Sequence, residues 1–442
     1  MTDATTIPVD DRLAAYEANI AAADADPSLS PETGAPLAKS VLIRFGAGLM
    51  AFGLLWMSGL SIVSAVLFTK HLQSIFGPDV EGLTGVINAC TAVASLVSNL
   101  LFGTLSDRSR SKWGRRTPFI LFGGVLGGLT LFLTGMVADP VVITVIYCAC
   151  MFGLNAMIAP TVAMISDRIP MNVRGTMSAF FGAGQTCGAP IGTLIGSAFI
   201  LTPFPGFVLA GVLMFLGGLV AVLVMPKESS ADFLPKDEGK AADVLRSFIP
   251  PKFSTAHDFY KAFAGRICML LSYQMITVYQ LLIFQKYVGL DDTAAGAAMA
   301  TMSVITMVVS LLGSVVAGPV SDLIGRRKIP VVAASVLFAI GMAMPWIMPT
   351  TTGMFLYAGL AGLGYGVYSS VDQALNVDVL PNKEEAGKDL GVLNLATTLG
   401  QMLGPVIMSV ITVTVGYAAA FPISIVFALL GCVFIMMIKG VR

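Results

Sequence analysis

The chain has 442 residues, 56% of them hydrophobic and 12% charged, and its formal charge is zero. A soluble domain carries about 25% charged residues, so most of this surface faces something less polar than water, in keeping with a mean hydropathy of +0.83. A balanced charge gives no reason to expect nucleic acid as a partner. The six cysteines fall in apolar stretches without zinc-like or paired spacing, and the two histidines, His71 and His257, are far apart. No Walker loop, metal, cofactor or catalytic signature is present, so an enzyme is not expected.

In chain order, residues 1–38 hold seven acidic residues, one base (Arg12) and prolines at 8, 27, 31 and 36. This composition predicts a disordered tail, with at most a weak helix over 13–25. A membrane helix needs about 20 mostly apolar residues. Such stretches run over 41–69, 83–105, 118–137, 141–166, 175–200 and 207–225, and then over 258–287, 293–317, 329–348, 353–377, 389–413 and 417–438. The expectation is an all-α membrane protein with twelve spans: a bundle over 39–225, a polar linker over 226–257 and a second bundle over 258–442. With both termini cytoplasmic, only Lys70 and Lys286 of the 26 Lys and Arg lie outside, which fixes the orientation in the cell membrane.

Spans three, six, nine and twelve are nearly bare of polar groups, whereas the others carry polar stripes at helical spacing. Asn88, Thr91, Ser95 and Ser98 share a face of span two, and Tyr273, Thr277 and Gln280 line span seven. Polar side chains in hydrocarbon face either a partner helix or a wet cavity. Four helices are therefore expected to face lipid and eight to surround something polar.

The halves repeat at an offset of about 215 residues. Gly103-Thr-Leu-Ser-Asp107 with Gly114-Arg115-Arg116 recurs as Gly318-Pro-Val-Ser-Asp322 with Gly325-Arg326-Arg327. Gly184-Gln185-x-x-Gly188 recurs as Gly400-Gln401-x-x-Gly404, and Leu67-Phe68-x-Lys70 as Ile283-Phe284-x-Lys286. Asp167-x-x-Pro170 recurs as Asp378-x-x-Pro381. Parallel duplication of this kind is a transporter architecture.

The doubled Gly-x-x-x-Asp…Gly-Arg-Arg motif resembles the signature of the major facilitator superfamily. The string from Ser106 to Ile120, with Trp113 and Pro118, and the span-ten string Gly364 to Leu375 are similar to a narrower branch. That branch holds the sucrose/proton symporters and the glycoside–pentoside–hexuronide cation symporters. The resemblance implies a cytoplasmic latch of Asp107, Arg115, Arg116 and Asp167, with a second copy in Asp322, Arg326, Arg327 and Asp378. It also implies alternating access by a monomer that moves a small molecule across the lipid bilayer.

Gly184, Gly188, Gly192 and Gly196 form a stripe on span five that admits another backbone. The drug-antiporter pattern there is interrupted by Ala189, and span four lacks the arginine of those exporters. Asp372 is the one carboxylate well inside an apolar span, six residues or roughly 9 Å from Asp378. At that depth a lone carboxylate must pair or take up a proton, so Asp372 is either the proton-coupling group or a structural partner of Arg266 or Lys388. Arg44 and Arg266, near the starts of spans one and seven, are expected to snorkel. Trp56, Tyr273, Gln280, Tyr365, Tyr368, Gln373 and Asn394 supply aromatic planes and amides suited to a sugar. The leading expectation is proton-coupled import of a sugar or glycoside; the alternatives are drug or metabolite export, and a non-transporting sensor or assembly factor.

Overall fold

The computed structural model describes residues 8–234, 251, 253, 256–324, 328–379 and 386–439. Apart from one bridge between Leu29 and Pro36, the described residues form helices and turns. Each of the twelve expected stretches is helical. The first six helices are Lys39–Phe76, Glu81–Asp107, Thr117–Thr134, Pro140–Arg168, Met171–Ala198 and Pro203–Val224. The next four are the bent pair His257–Thr277 and Gln280–Tyr287, then Asp292–Ile324, Lys328–Ile347 and Thr351–Asp378. Ala386–Thr414 and Tyr417–Met436 complete the set. Among the described residues nine helices are long and apolar enough to cross a membrane, and the bent pair makes a tenth. The other two, spans five and ten, fall short because glycine and polar residues dilute their apolar content. Those are the residues that shape their contacts.

The duplication persists in the backbone. A π-helical turn, Val63–Leu67, ends at Leu67 in span one, and another, Ile283–Tyr287, begins in span seven at Ile283, the residue that matches Leu67 in the repeat. Span seven also bends by 49° at 278–279. Extra-residue turns of this kind re-aim the side chains that follow them. Pro190 and Pro405 lie inside spans five and eleven at equivalent places.

The chain divides into two compact units whose boundary cuts through spans one, two and five. One comprises Met1–Leu60, Ala94–Ala189 and Phe207–Gly239; the other comprises Ser61–Val93, Pro190–Gly206 and Lys240–Arg442. In the first unit span three packs on span four, and the glycine stripe sets span five against span one. A Cβ on Gly188 would lie 2.7 Å from the Leu54 carbonyl, and Gly184 closes on Met50 in the same way. In the second unit span seven packs on spans eleven and twelve, and span ten on spans eight and nine. There a Cβ on Gly404 would lie 2.8 Å from the Leu271 carbonyl. The same device therefore serves both halves: glycine lets one helix backbone touch its neighbour.

The amino-terminal segment departs from the expected disorder. Val9–Ala25 is a helix, and the residues after it are fastened to the end of span four. The Glu32 carboxylate accepts from Arg168 Nε at 2.6 Å and from the Ser229 backbone N–H, and the Ser30 hydroxyl donates to the Arg168 carbonyl. Arg12 pairs with Asp232, and Tyr16 packs edge-on against Phe233. The start of the 226–257 linker is thus ordered against the tail, while 235–250 lies outside the described residues. Composition alone missed these partners because each is more than a hundred residues away in sequence.

Candidate functional site

Span ten carries Tyr365, Tyr368, Asp372 and Asn376 at spacings of three and four, which puts them on one helical face. Its small residues turn that face. Gly364 sits against the Ala334 carbonyl of span nine, and Gly366 against the Ser310 carbonyl of span eight. The polar stripe then meets span seven, where Arg266 and Tyr273 lie two turns apart. Tyr273 and Tyr365 stack with ring centroids 3.9 Å apart and planes within 5°.

Below the rings, Arg266 Nη1 lies 3.5 Å from Asp372 Oδ2, and both side chains are less than 8% exposed. The Asn376 amide donates to the same Oδ2 at 3.0 Å. Arg266 therefore does not snorkel, because span seven is rotated to bury it. Among the described residues, Arg266 Nε, Asp372 Oδ1, Asn376 Oδ1 and the Tyr368 hydroxyl make no hydrogen bond. Tyr368 is close enough to act on Asp372 electrostatically without normal hydrogen-bond geometry. A buried group left unpaired costs about 1–3 kcal/mol, and the long single contact forgoes the two-pronged geometry that strengthens Arg–carboxylate pairs.

Two of the other sugar-binding candidates have described side chains. Gln280 starts the bent segment of span seven, near Thr277 and the buried Tyr357. Trp56 belongs to the other unit, where it is buried and its indole N–H makes no hydrogen bond to the described residues. The side chains of Gln373 and Asn394 lie outside the described residues.

At the basic end, the first motif assembles as its residues suggest. Arg116 is almost fully buried and bridges Asp107 at 2.6 Å and Asp167 at 2.7 Å, and it also donates to the Ser106 hydroxyl. Burial works against its charge, but the two carboxylates outweigh that and hold the guanidinium above its ordinary pKa. Arg115 donates to the Asp107 carbonyl at 2.8 Å. Gly114 turns with φ +103°, which few other residues tolerate. The turn brings the Arg116 and Thr117 backbone N–H groups onto Glu228, which caps span three. Asp322, Arg326, Arg327 and Asp378 of the second copy lie outside the described side chains. On span two, Ser95, Ser98 and Asn99 converge on Asn155 of span four, so this part of the stripe joins two helices.

A cluster that sequence reasoning missed occupies the opposite end, within the second unit. Lys286 Nζ contacts Glu81 Oε1 at 2.6 Å and Asp79 at 2.9 Å, and the Tyr417 hydroxyl donates to the same Glu81 oxygen. Tyr279 and Ser409 donate to the Glu81 carbonyl. Lys70 pairs with Asp292, which also accepts from Gln285. An open depression of about 490 Å³ lies beside these residues, at the surface and away from Asp372. The clue in the sequence was that the two isolated lysines end spans matched by the repeat, next to acidic loops.

A twelve-helix duplicated bundle with a buried ion pair inside one unit defines the class, a polytopic membrane carrier. The sequence profile of the Major Facilitator Superfamily matches residues 45–291 and 262–441, and the chain belongs to that family. Among curated proteins it is 36% identical over 110 residues to sucrose transport protein SUT1 of Oryza sativa, 24% of this chain and 19% of that one. The match thus spans about a fifth of the rice protein. It is 21% identical to the glucose-6-phosphate exchanger SLC37A2 of Danio rerio, covering 80% and 79% of the two chains. It is 23% identical to the multi-drug resistance efflux pump PmrA of Streptococcus pneumoniae, covering 83% and 88%. A bacterial homologue of the human lysosomal transporter Spinster, inward-facing and unoccupied, superposes with a TM-score of 0.71 at 13% identity, over 91% and 98% of the chains. At that identity the likeness speaks for the fold.

Proposed function

We propose that this carrier imports a sugar or glycoside by alternating access, coupled to protons through Asp372. The carrying observation is the incompletely satisfied Arg266–Asp372 pair beneath the Tyr273–Tyr365 stack. A carboxylate that must exchange protons is better left short of partners than locked in a full network. The local likeness to a sucrose transport protein supports the sugar. The second reading is export, favoured by the long match to PmrA; the absence of a charged residue over 141–166 of span four counts against it. Uptake of labelled mono- and disaccharides into proteoliposomes, with and without an inward proton gradient, tests the proposal. Gradient-dependent accumulation of at least one sugar is expected, and accumulation of none would reject it.

The basic end is assigned to the cytoplasm, as is each terminus, because all but two of the Lys and Arg lie there. Asp107, Arg115, Arg116 and Asp167 then act as the cytoplasmic latch, and the Glu81–Lys286 cluster closes the outer end. A cysteine placed at Asp79, whose side chain is 91% exposed, should label in whole cells with an impermeant thiol reagent, and one at Ser230 should not. The reverse pattern would invert the topology.

A further inference from the structure

We infer that the depression at the outer end is a second binding site, where the sugar docks before it reaches the site around Asp372. The inference rests on the proposed sugar import and on the assigned orientation, and adds an entry site to them. Lys70 and Lys286 occupy matching positions of the repeat, and Glu81 and Asp292 are the first residues of the equivalent spans two and eight. The lysine near the end of span one grips Asp292 at 2.5 Å, and the lysine near the end of span seven grips Glu81 at 2.6 Å. The result is a crossed clasp whose two arms are unequal. The Glu81 side chain is 10% exposed, its carboxylate also takes the Tyr417 hydroxyl, and its carbonyl takes Tyr279 and Ser409. The Lys70–Asp292 arm is open to water, at 21% and 37% exposure. It continues only through side chains: Gln285 donates to Asp292 at 2.8 Å and accepts from Gln73 at 2.9 Å.

That open arm lines the depression, whose volume of about 490 Å³ falls within the range of about 300–1,000 Å³ usual for small-molecule sites. An ammonium donates, a carboxylate accepts, and the two carboxamides do both. A sugar hydroxyl also does both, so a sugar can enter the Lys70–Asp292–Gln285–Gln73 chain bond for bond, donating to Asp292 and accepting from an amide. The exchange costs little because these bonds already compete with water. Pro78 and Leu290 line the same depression and offer apolar surface to the C–H face of a sugar ring. Occupancy replaces the Gln73–Gln285 bond and so removes a tie between span one and span seven. Docking therefore loosens the exposed arm of the clasp.

The test uses the full chain with glucose and sucrose as probes. Ser74 is exposed on the wall of the depression, and a cysteine placed there should label in whole cells with an impermeant thiol reagent. One of the two sugars, added outside in excess, should slow that labelling about fivefold. Gln285→Ala should abolish the protection, and Gln73→Ala carries the same prediction if the first variant does not fold. Tyr365→Ala, which alters the site around Asp372, should keep the protection. Equilibrium binding of the same labelled sugar to the purified carrier should give two molecules per chain, falling to one in Gln285→Ala. No protection, or protection that persists in both glutamine variants, would overturn the entry site, while accumulation of the sugar in proteoliposomes would leave import standing. Protection without accumulation would keep the entry site and reject import. Neither protection nor accumulation of any sugar in the wider panel would overturn both.

Discussion

Asp372→Asn is expected to abolish accumulation of substrate against its gradient while preserving exchange of internal for external substrate. The amide keeps the volume and a hydrogen-bonding oxygen toward Asn376 and Arg266, but it can neither carry a proton nor neutralise Arg266. A steady accumulation ratio of about tenfold, which one decade of proton gradient can drive at one proton per solute, should fall to about one. Counterflow measured beside net uptake separates the roles. A structural partner would lose expression or both activities together. Uphill transport with unchanged pH dependence would remove Asp372 from the coupling role.

Arg116→Gln is expected to produce the second large effect. The wild-type guanidinium is nearly buried and joins span two, through Asp107 and Ser106, to span four, through Asp167. Its removal leaves two carboxylates facing each other. Because Asp107 is 56% exposed and Asp167 31%, water recovers part of the loss, and the expected destabilisation is about 2–3 kcal/mol. The protein should still insert and purify. Its melting temperature should fall, and cysteines at the cytoplasmic end should become more reactive. Unchanged stability, turnover and accessibility would remove the latch role.

The helices were legible because twenty-residue apolar runs have one solution in hydrocarbon, and every predicted run is a helix. The bend in span seven was not, since no proline or glycine marks 278–279 and the break arises from packing and the π turn beyond it. Asp372 was legible as the one carboxylate deep in an apolar span, while the burial of Arg266 depended on how span seven is rotated. The order of the tail rests on Glu32 finding Arg168, and the far-end cluster on Lys286 finding Glu81. Pairings across that much sequence leave no local periodicity to read.

In the proposed cycle solute and proton move together through Asp372. It is tested most directly by adding the accumulated sugar to lightly buffered proteoliposomes and recording the external pH. Alkalinisation is expected to begin with sugar entry and to vanish in Asp372→Asn. Sugar entry with no pH change in the wild type, or an equal change in the variant, would contradict it.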